Sequence, residues 1–579
     1  MFQASILAAG AFGGIDLTIV IAYMLGIMVI GILAGYKKDT SSEQFFLAGK
    51  SLRWPMIGAA LFTANISTIH LVGLASDGYR IGLVVGNFEW MASFCLIILG
   101  LIFVPIYLRS KISTLPEFLA KRYGELPRLF MAFIAIFSAL LVHIGVSLYA
   151  GGILFKEFFG IPPVYTIIII AIVTTIYTVL GGLKAVVVTD TIQAVLLLAG
   201  AVVLTMMAIF KLPEVGIENF TQFKAALRPD QLSMVHGITD QNGRLNELSW
   251  LSVLLGYPIL GIWYWCTDQT IVQKALGAKT ERDGKLGAVF AGLLKVLPLF
   301  FMVLPGVVAY ALFKDKIGTD NNSTLRILVI EVLPVGLRGL FAAGLLAAVM
   351  STVESALNST ATVTAEDICK RIWPALQDKT LVLIGRVTAI VVIVLAMLWS
   401  PYCGKFESIF VVINKIPMMF APAITCVFLL GVFWKRGTKQ ACIATFAIGL
   451  LVGMVYFMVD LPREKIIDQQ TFDNFGYIYG GLQNEVTDAG VKLLNYKVVT
   501  DGWGIPFMIV GPILFVMCCI IYTIVTLMTA APTQEDLARV CWQPPLKILT
   551  EEKFSGITDP RLISIGLFVL MIILYSILH

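Results

Sequence analysis

The run AALFTANISTIH (59–70), LVGLASDGYRIG (71–82) and LVVGNFEW (83–90) decides the fold. It reads as two membrane-spanning helices joined by a short polar turn, yet the first span is wet. Thr63, Asn65, Ser67, Thr68 and His70 fall in mid-span, and Glu89 follows early in the next. Hydrocarbon offers no partner to a bare polar group or to unwound backbone, so both are tolerated only where they face protein or a water-lined cavity. A polar cluster at that depth marks a functional site.

The surrounding chain supports the membrane reading. Its 579 residues are 58% hydrophobic and 14% charged, against about 25% charged in a soluble protein. Mean hydropathy is +0.88. Apolar runs of spanning length, about 20 residues each, recur from 16–36 to 560–578 and predict about fourteen transmembrane helices. A net charge of +5 does not point to nucleic acid. The nine cysteines lie mostly within apolar spans and read as buried thiols, and the four histidines are too scattered to hold a metal by spacing. There is no Walker-type phosphate loop, and the longest segment expected on the cytoplasmic side, 531–559, is too short for an added domain. Transport would then run on an ion gradient and not on ATP.

Orientation follows from basic residues. Lys37 and Lys38 directly follow the first run, with no basic stretch before it, which places the N-terminus outside and makes that run a retained span. Alternate short loops then carry the excess of Lys and Arg, including Arg109, Lys121, Arg122, Arg128, Lys274, Lys279, Lys435 and Arg436. An even number of spans puts both termini outside.

A second segment resembles the opening one in its irregularity. In GYPILGIWYWCTDQTIVQ (256–273), Gly256, Pro258 and Gly261 precede the aromatic cluster Trp263-Tyr264-Trp265. The two segments lie five spans apart, an odd number, so they enter the membrane from opposite sides. Paired interrupted helices in two inverted five-helix halves point to a secondary transporter with a midplane site. The alternative is a helix merely kinked at Pro258, with the aromatics in packing or in an interfacial belt.

Several stretches carry a family resemblance. FFLAGKSLRWPMIGAALFTANIS, FEW, LPEFLAKRY, YTVLGGLKAVVVTDTIQ, WYWCTDQTIVQ, LLKVLPLFFMVLPG, STVESALNSTATV and VFLLGVFWKR resemble sodium/solute symporters, most of all the sodium/glucose and sodium/galactose branch. The resemblance implies an all-α, leucine-transporter-like fold with a 5+5 inverted repeat. Residues 1–53 would form an accessory helix and loop, 54–248 and 249–434 the two halves, and 435–579 the C-terminal accessory helices. It implies sodium-coupled symport of a monosaccharide or polyol of the glucose, galactose or myo-inositol type, by alternating access across the cytoplasmic (plasma) membrane. Sodium would be the coupling ion; the partners would be a small solute and the lipid bilayer.

Site residues follow from the same motifs. Serine and threonine hydroxyls in 351–363 either bond back to their own helix or serve as hard oxygen donors for sodium. The resemblance implies a sodium site from the carbonyls of Thr63, Ile66 and Ala348 and the hydroxyls of Ser351 and Thr352. Asp190 matches an acid near a second sodium site in some members. Glu354 stands where those members carry a hydroxyl, so Asp190, Glu354 and Ser355 form a candidate second cation site. Glu354 could neutralise a cation, take up a proton or pair with a base. Asp190 could equally cap a helix near the inner surface.

A sugar needs donors and acceptors for its hydroxyls and an aromatic plate for its ring. The candidates are Asn65, His70, Glu89, His143, Tyr264, Trp265, Lys295 and Asn414. Asn414 replaces a glutamine of the sugar carriers, Lys415 follows it, and Gly261 stands where a polar residue is usual. An acidic sugar is therefore another candidate, given Lys295, Lys415 and two histidines. The rival functions are sodium symport of a sugar acid, carboxylate or amino acid, a membrane enzyme using His70, Glu89 and His143 as acid and base, and a solute sensor.

Overall fold

The structure, a computed structural model, describes residues 12–36, 41–239, 245–318, 320–405, 416–460, 463–468, 479–486, 495–500, 505–540, 542, 544–551 and 554–579. Eleven helices among them are long and apolar enough to cross a membrane, or twelve with one bent pair counted as a span. The bent pair is the opening stretch. With α1 assigned to Gly14–Gly35, α2 is Trp54–Asn65 and α3 is Thr68–Ile81, set at 63° to α2.

Helix α4, Pro163–Phe210, has 48 residues. At 1.5 Å per residue it would reach about 72 Å, more than twice a bilayer core of about 30 Å. It turns at Gly182 (φ 60°, ψ −156°) and so holds two passes. A side chain at Gly182 would meet the Phe45 carbonyl oxygen at 2.4 Å. The shorter apolar helix Ala421–Phe433 is too short to span a bilayer core alone, and residues 406–415 lie outside the described residues. With the bent pair counted as one span and α4 as two passes, the described residues hold thirteen passes, against about fourteen expected.

The second irregular segment breaks later than its glycines and proline suggest. Helix α5, Trp250–Ile262, runs straight through Pro258. The ladder widens over Trp263–Thr267 and stops at Asp268, in extended backbone (φ −85°, ψ 125°), before α6, Gln269–Leu276. The glycines serve close packing instead. A Cβ on Gly256 would lie 2.1 Å from the Met508 carbonyl oxygen, and one on Gly261 would lie 2.5 Å from Cys95 Sγ.

Helix α7, Leu337–Val363, is the axis of the bundle, with every residue from Phe341 to Val363 buried. It packs most extensively on α4, and also on α1 and on Asp378–Trp399. Protein surrounds it, so its hydroxyls and Glu354 do not meet lipid. Asp16 of α1, fully buried, fixes its N-terminal end. One carboxylate oxygen accepts the Gly336 and Gly339 amides at 2.8 Å each, and the other accepts the Gly13 amide at 3.0 Å. An acid at a helix N-terminus satisfies otherwise orphaned amides and complements the helix dipole.

After the helix that ends at Asp460, the chain includes a three-stranded antiparallel sheet, with Asn495–Thr500 between Arg463–Asp468 and Tyr479–Val486. It is a small addition to an all-α body. Two residues counted with the cytoplasmic loop charges prove to be internal. Arg122 is buried and donates to the carbonyls of Gly431, Trp434, Lys435 and Gly437, capping the end of Ala421–Phe433. Lys274 is 1% exposed and lies in the centre of the molecule.

Candidate functional site

The break between α2 and α3 is two residues long. Ile66 (φ −81°, ψ 106°) and Ser67 (φ −100°, ψ 169°) are extended, and the Ile66 amide donates to the Thr63 carbonyl at 3.0 Å. Ser67 starts α3 with an unusual cap. Its amide donates to His70 Nδ1 at 3.3 Å, with its hydroxyl 3.0 Å from the same nitrogen. Nδ1 is thereby the acceptor, so a neutral His70 ring carries its proton on Nε2.

Helices α2 and α7 come together beside Asp190 of α4. Thr63 Oγ1 donates to the Ala59 carbonyl at 3.0 Å and lies 3.4 Å from the Asp190 carbonyl. Ser351 donates its hydroxyl proton to the Asp190 carboxylate. Thr352 Oγ1 donates to the Ala348 carbonyl at 3.1 Å. Thr63, Ile66, Ala348, Ser351 and Thr352 are all buried. Both back-bonding and side-chain contacts are therefore present, and a carbonyl that accepts one hydrogen bond keeps a second lone pair.

Next to this cluster is a cavity of about 120 Å³, lined by Asn65, His70, Glu89, His143, Tyr264, Trp265 and Thr352 among others. Thr352 thus touches both regions. Lys295 stands just behind the wall and orders it. Its ammonium donates to Glu89 Oε2 at 2.6 Å and to Asn65 Oδ1, with the Trp265 ring 5.4 Å away. Lys295 and Glu89 are 1% and 2% exposed. An unpaired charge at that depth would be strongly unfavourable, so the two hold one another. The Tyr264 ring lies 6.1 Å from that of His143. Seven of the eight solute candidates are thus gathered at one place. The eighth, Asn414, lies outside the described residues, as does Lys415.

Asp190, Glu354 and Ser355 also converge. Thr189 Oγ1 donates to Glu354 Oε2 at 2.9 Å, and both acids are fully buried. Lys274 completes the group: its ammonium donates to Ser355 Oγ at 2.8 Å and lies 3.9 Å from Asp190 Oδ2. A helix-capping role for Asp190 is not what is found, because it lies in the interior of α4.

Sequence reasoning missed several residues. Asp268 caps α6 through the Thr270 amide at 2.7 Å and places its other oxygen 3.3 Å from His143 Nε2. The Thr-Asp-Gln run after the aromatic cluster is a helix-start signal that could have revealed it. Tyr257, Phe88 and Ser147 also line the cavity, and no sequence signal separates them from ordinary packing residues. Phe88 faces two spaces. It lines the central cavity and a polar vestibule of about 880 Å³ bounded by Asp77, Arg80, Arg228 and His236. Its ring lies 6.2 Å from that of Tyr257. At the opposite end the packing is tight. The Leu115 amide donates to Gln269 Oε1 at 2.8 Å, and the buried Asp367 accepts from Thr114 at 2.9 Å and from Arg128 at 2.7 Å.

Comparisons agree with this architecture. The family model described as the sodium:solute symporter family matches residues 45–449. The chain is 32% identical over 554 residues to a sodium/glucose cotransporter 4 of Danio rerio, covering 91% of this chain and 80% of the relative. It is 30% identical over 585 residues to a sodium/myo-inositol cotransporter of Homo sapiens, covering 94% and 77%. Among solved structures, a Na+-coupled sialic acid symporter in a substrate-bound outward-open state superposes with a TM-score of 0.73 at 20% identity, over 90% of this chain and 100% of that one.

Proposed function

The chain belongs to the sodium:solute symporter family, and from that premise we propose that it couples sodium entry to uptake of a neutral monosaccharide or polyol. It is a multi-pass membrane transporter with a leucine-transporter-like fold. The proposal extends to the solute, to the residues that hold it and the ion, to the halves 54–248 and 249–434, and to a cytoplasmic-membrane setting with both termini outside.

One observation carries the reading. The cavity at the break of α2 and α3 presents His70, Asn65, Glu89 and His143 as hydrogen-bonding groups and Tyr264 as an aromatic plate, and it adjoins Ser351 and Thr352 through Thr352 itself. Sodium would take the carbonyls of Thr63, Ile66 and Ala348 with the hydroxyls of Ser351 and Thr352. The solute would take the side chains, with Lys295 holding Asn65 and Glu89 in place. The same backbone break then serves both ligands, which is the coupling.

Charge favours a neutral solute over an acidic one. Lys295 is already matched by Glu89, and His143 faces Asp268. Sodium/glucose and sodium/myo-inositol cotransporters among the relatives point the same way. The test is uptake by the purified chain in proteoliposomes, over hexoses, inositols, sugar acids and amino acids, with sodium or choline outside. The expected result is sodium-dependent uptake confined to one or more hexoses or inositols. Uptake confined to a sugar acid or an amino acid would overturn the solute assignment.

A further inference from the structure

Helices Glu281–Leu294 and Pro560–Ile577 leave a groove of about 1000 Å³ between them, away from the central cavity. Its walls are Leu286, Phe290 and Leu293 of the first helix and Ile563, Leu567 and Leu570 of the second. Gly566 adds no side chain, and a Cβ there would meet nothing within 4 Å. Polar residues gather at one end only: Thr280, Arg282, Asp283 and Thr558. At 1.5 Å per residue, the stretch from Thr280 to Leu293 is about 20 Å long. One leaflet with its headgroups, half of about 40–45 Å, has the same depth. The polar end is also basic. Arg282 donates through one Nη to the Thr558 hydroxyl at 2.6 Å and to the Thr558 carbonyl at 3.4 Å. Its other guanidinium donors have no partner among the described residues. Arg53 and Lys279, both exposed, lie at the same end, because the backbones of Leu52 and Ala278 pair there. The acids nearby are engaged elsewhere. Glu281 pairs with Arg109 and Lys285, and Asp283 accepts the Trp54 amide at 3.2 Å and the Thr280 hydroxyl at 2.6 Å. No ion pair joins Arg53, Lys279 or Arg282 among the described residues.

We propose that this groove is a phospholipid site, in which an acyl chain lies along Phe290 and Leu567 and Arg282 holds an anionic headgroup, with Arg53 and Lys279 at its rim. Charge selects the occupant. A guanidinium with spare donors matches the oxygens of a phosphate, and basic pockets between transmembrane helices on the cytoplasmic side suit anionic headgroups. Arg109, bound to Glu281, places the polar end on the face whose loops carry the Lys and Arg excess. A sterol or a neutral tail could fill the apolar part but would leave Arg282 unmatched. An occupant would also bear on the broken helix. Trp54, the first residue of α2, lines the groove, with its indole edge-on to Phe290 at 5.2 Å. The site is separate from the solute cavity and holds whichever solute or ion is carried.

The test is native mass spectrometry of the purified full chain with phosphatidylglycerol, phosphatidylcholine or cholesterol, beside thermal unfolding in detergent with each. The expected result is retained phosphatidylglycerol, and a melting temperature raised more by it than by phosphatidylcholine, since a ligand of the folded state stabilises that state. Arg282→Gln, which can still donate to Thr558, should bind phosphatidylglycerol about fivefold more weakly and phosphatidylcholine as before. Gly566→Phe should lower retention of either lipid by filling the groove. Equal retention of the two phospholipids by the unmodified chain, or retention of cholesterol alone, would overturn the inference. So would an undiminished preference for phosphatidylglycerol in Arg282→Gln. The comparison of lipids on the unmodified chain needs no variant, so the inference stays exposed even where a variant fails to fold.

Discussion

Glu89 and Lys295 are the residues on which the solute cavity most depends. Their 2.6 Å contact lies where neither charge has water to turn to. Removing one partner of such a pair costs about 3–5 kcal/mol, whereas replacing both is far milder. Lys295→Met and Glu89→Gln should each lower the melting temperature of the detergent-solubilised protein by several degrees. The double variant should recover most of that stability without recovering uptake, because Asn65 loses its anchor. A double variant as unstable as the singles would remove the pair from this role. At this scale the sequence was informative where polarity is out of place in an apolar run, as at Asn65, His70, Glu89 and Glu354. It was uninformative where a residue suits two settings. Lys274 follows a span and precedes Lys279, so it counts naturally as a loop charge, and only the fold reveals that α6 carries it inward.

Helix ends do the positioning one scale up. The break at Ile66 and Ser67 lay within the stretch that looked irregular, because mid-span polar groups need a partner other than lipid. The second break was displaced from Gly256 and Pro258 to Asp268, because glycines that admit a neighbouring backbone are written identically to glycines that end a helix. Asp268 should matter in two ways. Asp268→Ala removes an N-cap, worth about 1 kcal/mol, and releases His143. A small loss of thermal stability should therefore accompany a much larger loss of solute affinity, measured as the half-saturating solute concentration for uptake. Equal and small effects on both would make Asp268 a cap alone. Asp16→Ala tests the other anchored end. It strands the Gly336 and Gly339 amides and should destabilise by about 1–3 kcal/mol, read as a lower melting temperature. An unchanged melting temperature would show that α1 is not needed to hold α7.

For the whole molecule, the vestibule on the Phe88 side and the tight packing around Asp367 describe one face open and the other closed. Alternating access requires the closed face to loosen. Asp367→Asn weakens the contacts to Arg128 and Thr114 and should raise the reactivity of a cysteine placed at Ser113 toward a membrane-impermeant maleimide applied from that side; unchanged reactivity would place the closure elsewhere. The approximate number of passes was legible from hydropathy, because the bilayer imposes one length on every span. The tertiary closure was not, since it joins residues more than a hundred positions apart. Energetics set what the machine can do. One sodium ion falling through a tenfold gradient and 100 mV releases about 1.4 and about 2.3 kcal/mol respectively. At one ion per solute, full coupling would let a neutral solute accumulate roughly 500-fold. The most direct measurement is therefore accumulation of labelled hexose and inositol in proteoliposomes under an imposed sodium gradient, with Thr352→Ala beside the unmodified chain. The account predicts uphill uptake that requires sodium and a Thr352→Ala variant weakened for sodium and solute together. Equal accumulation with choline in place of sodium would contradict it.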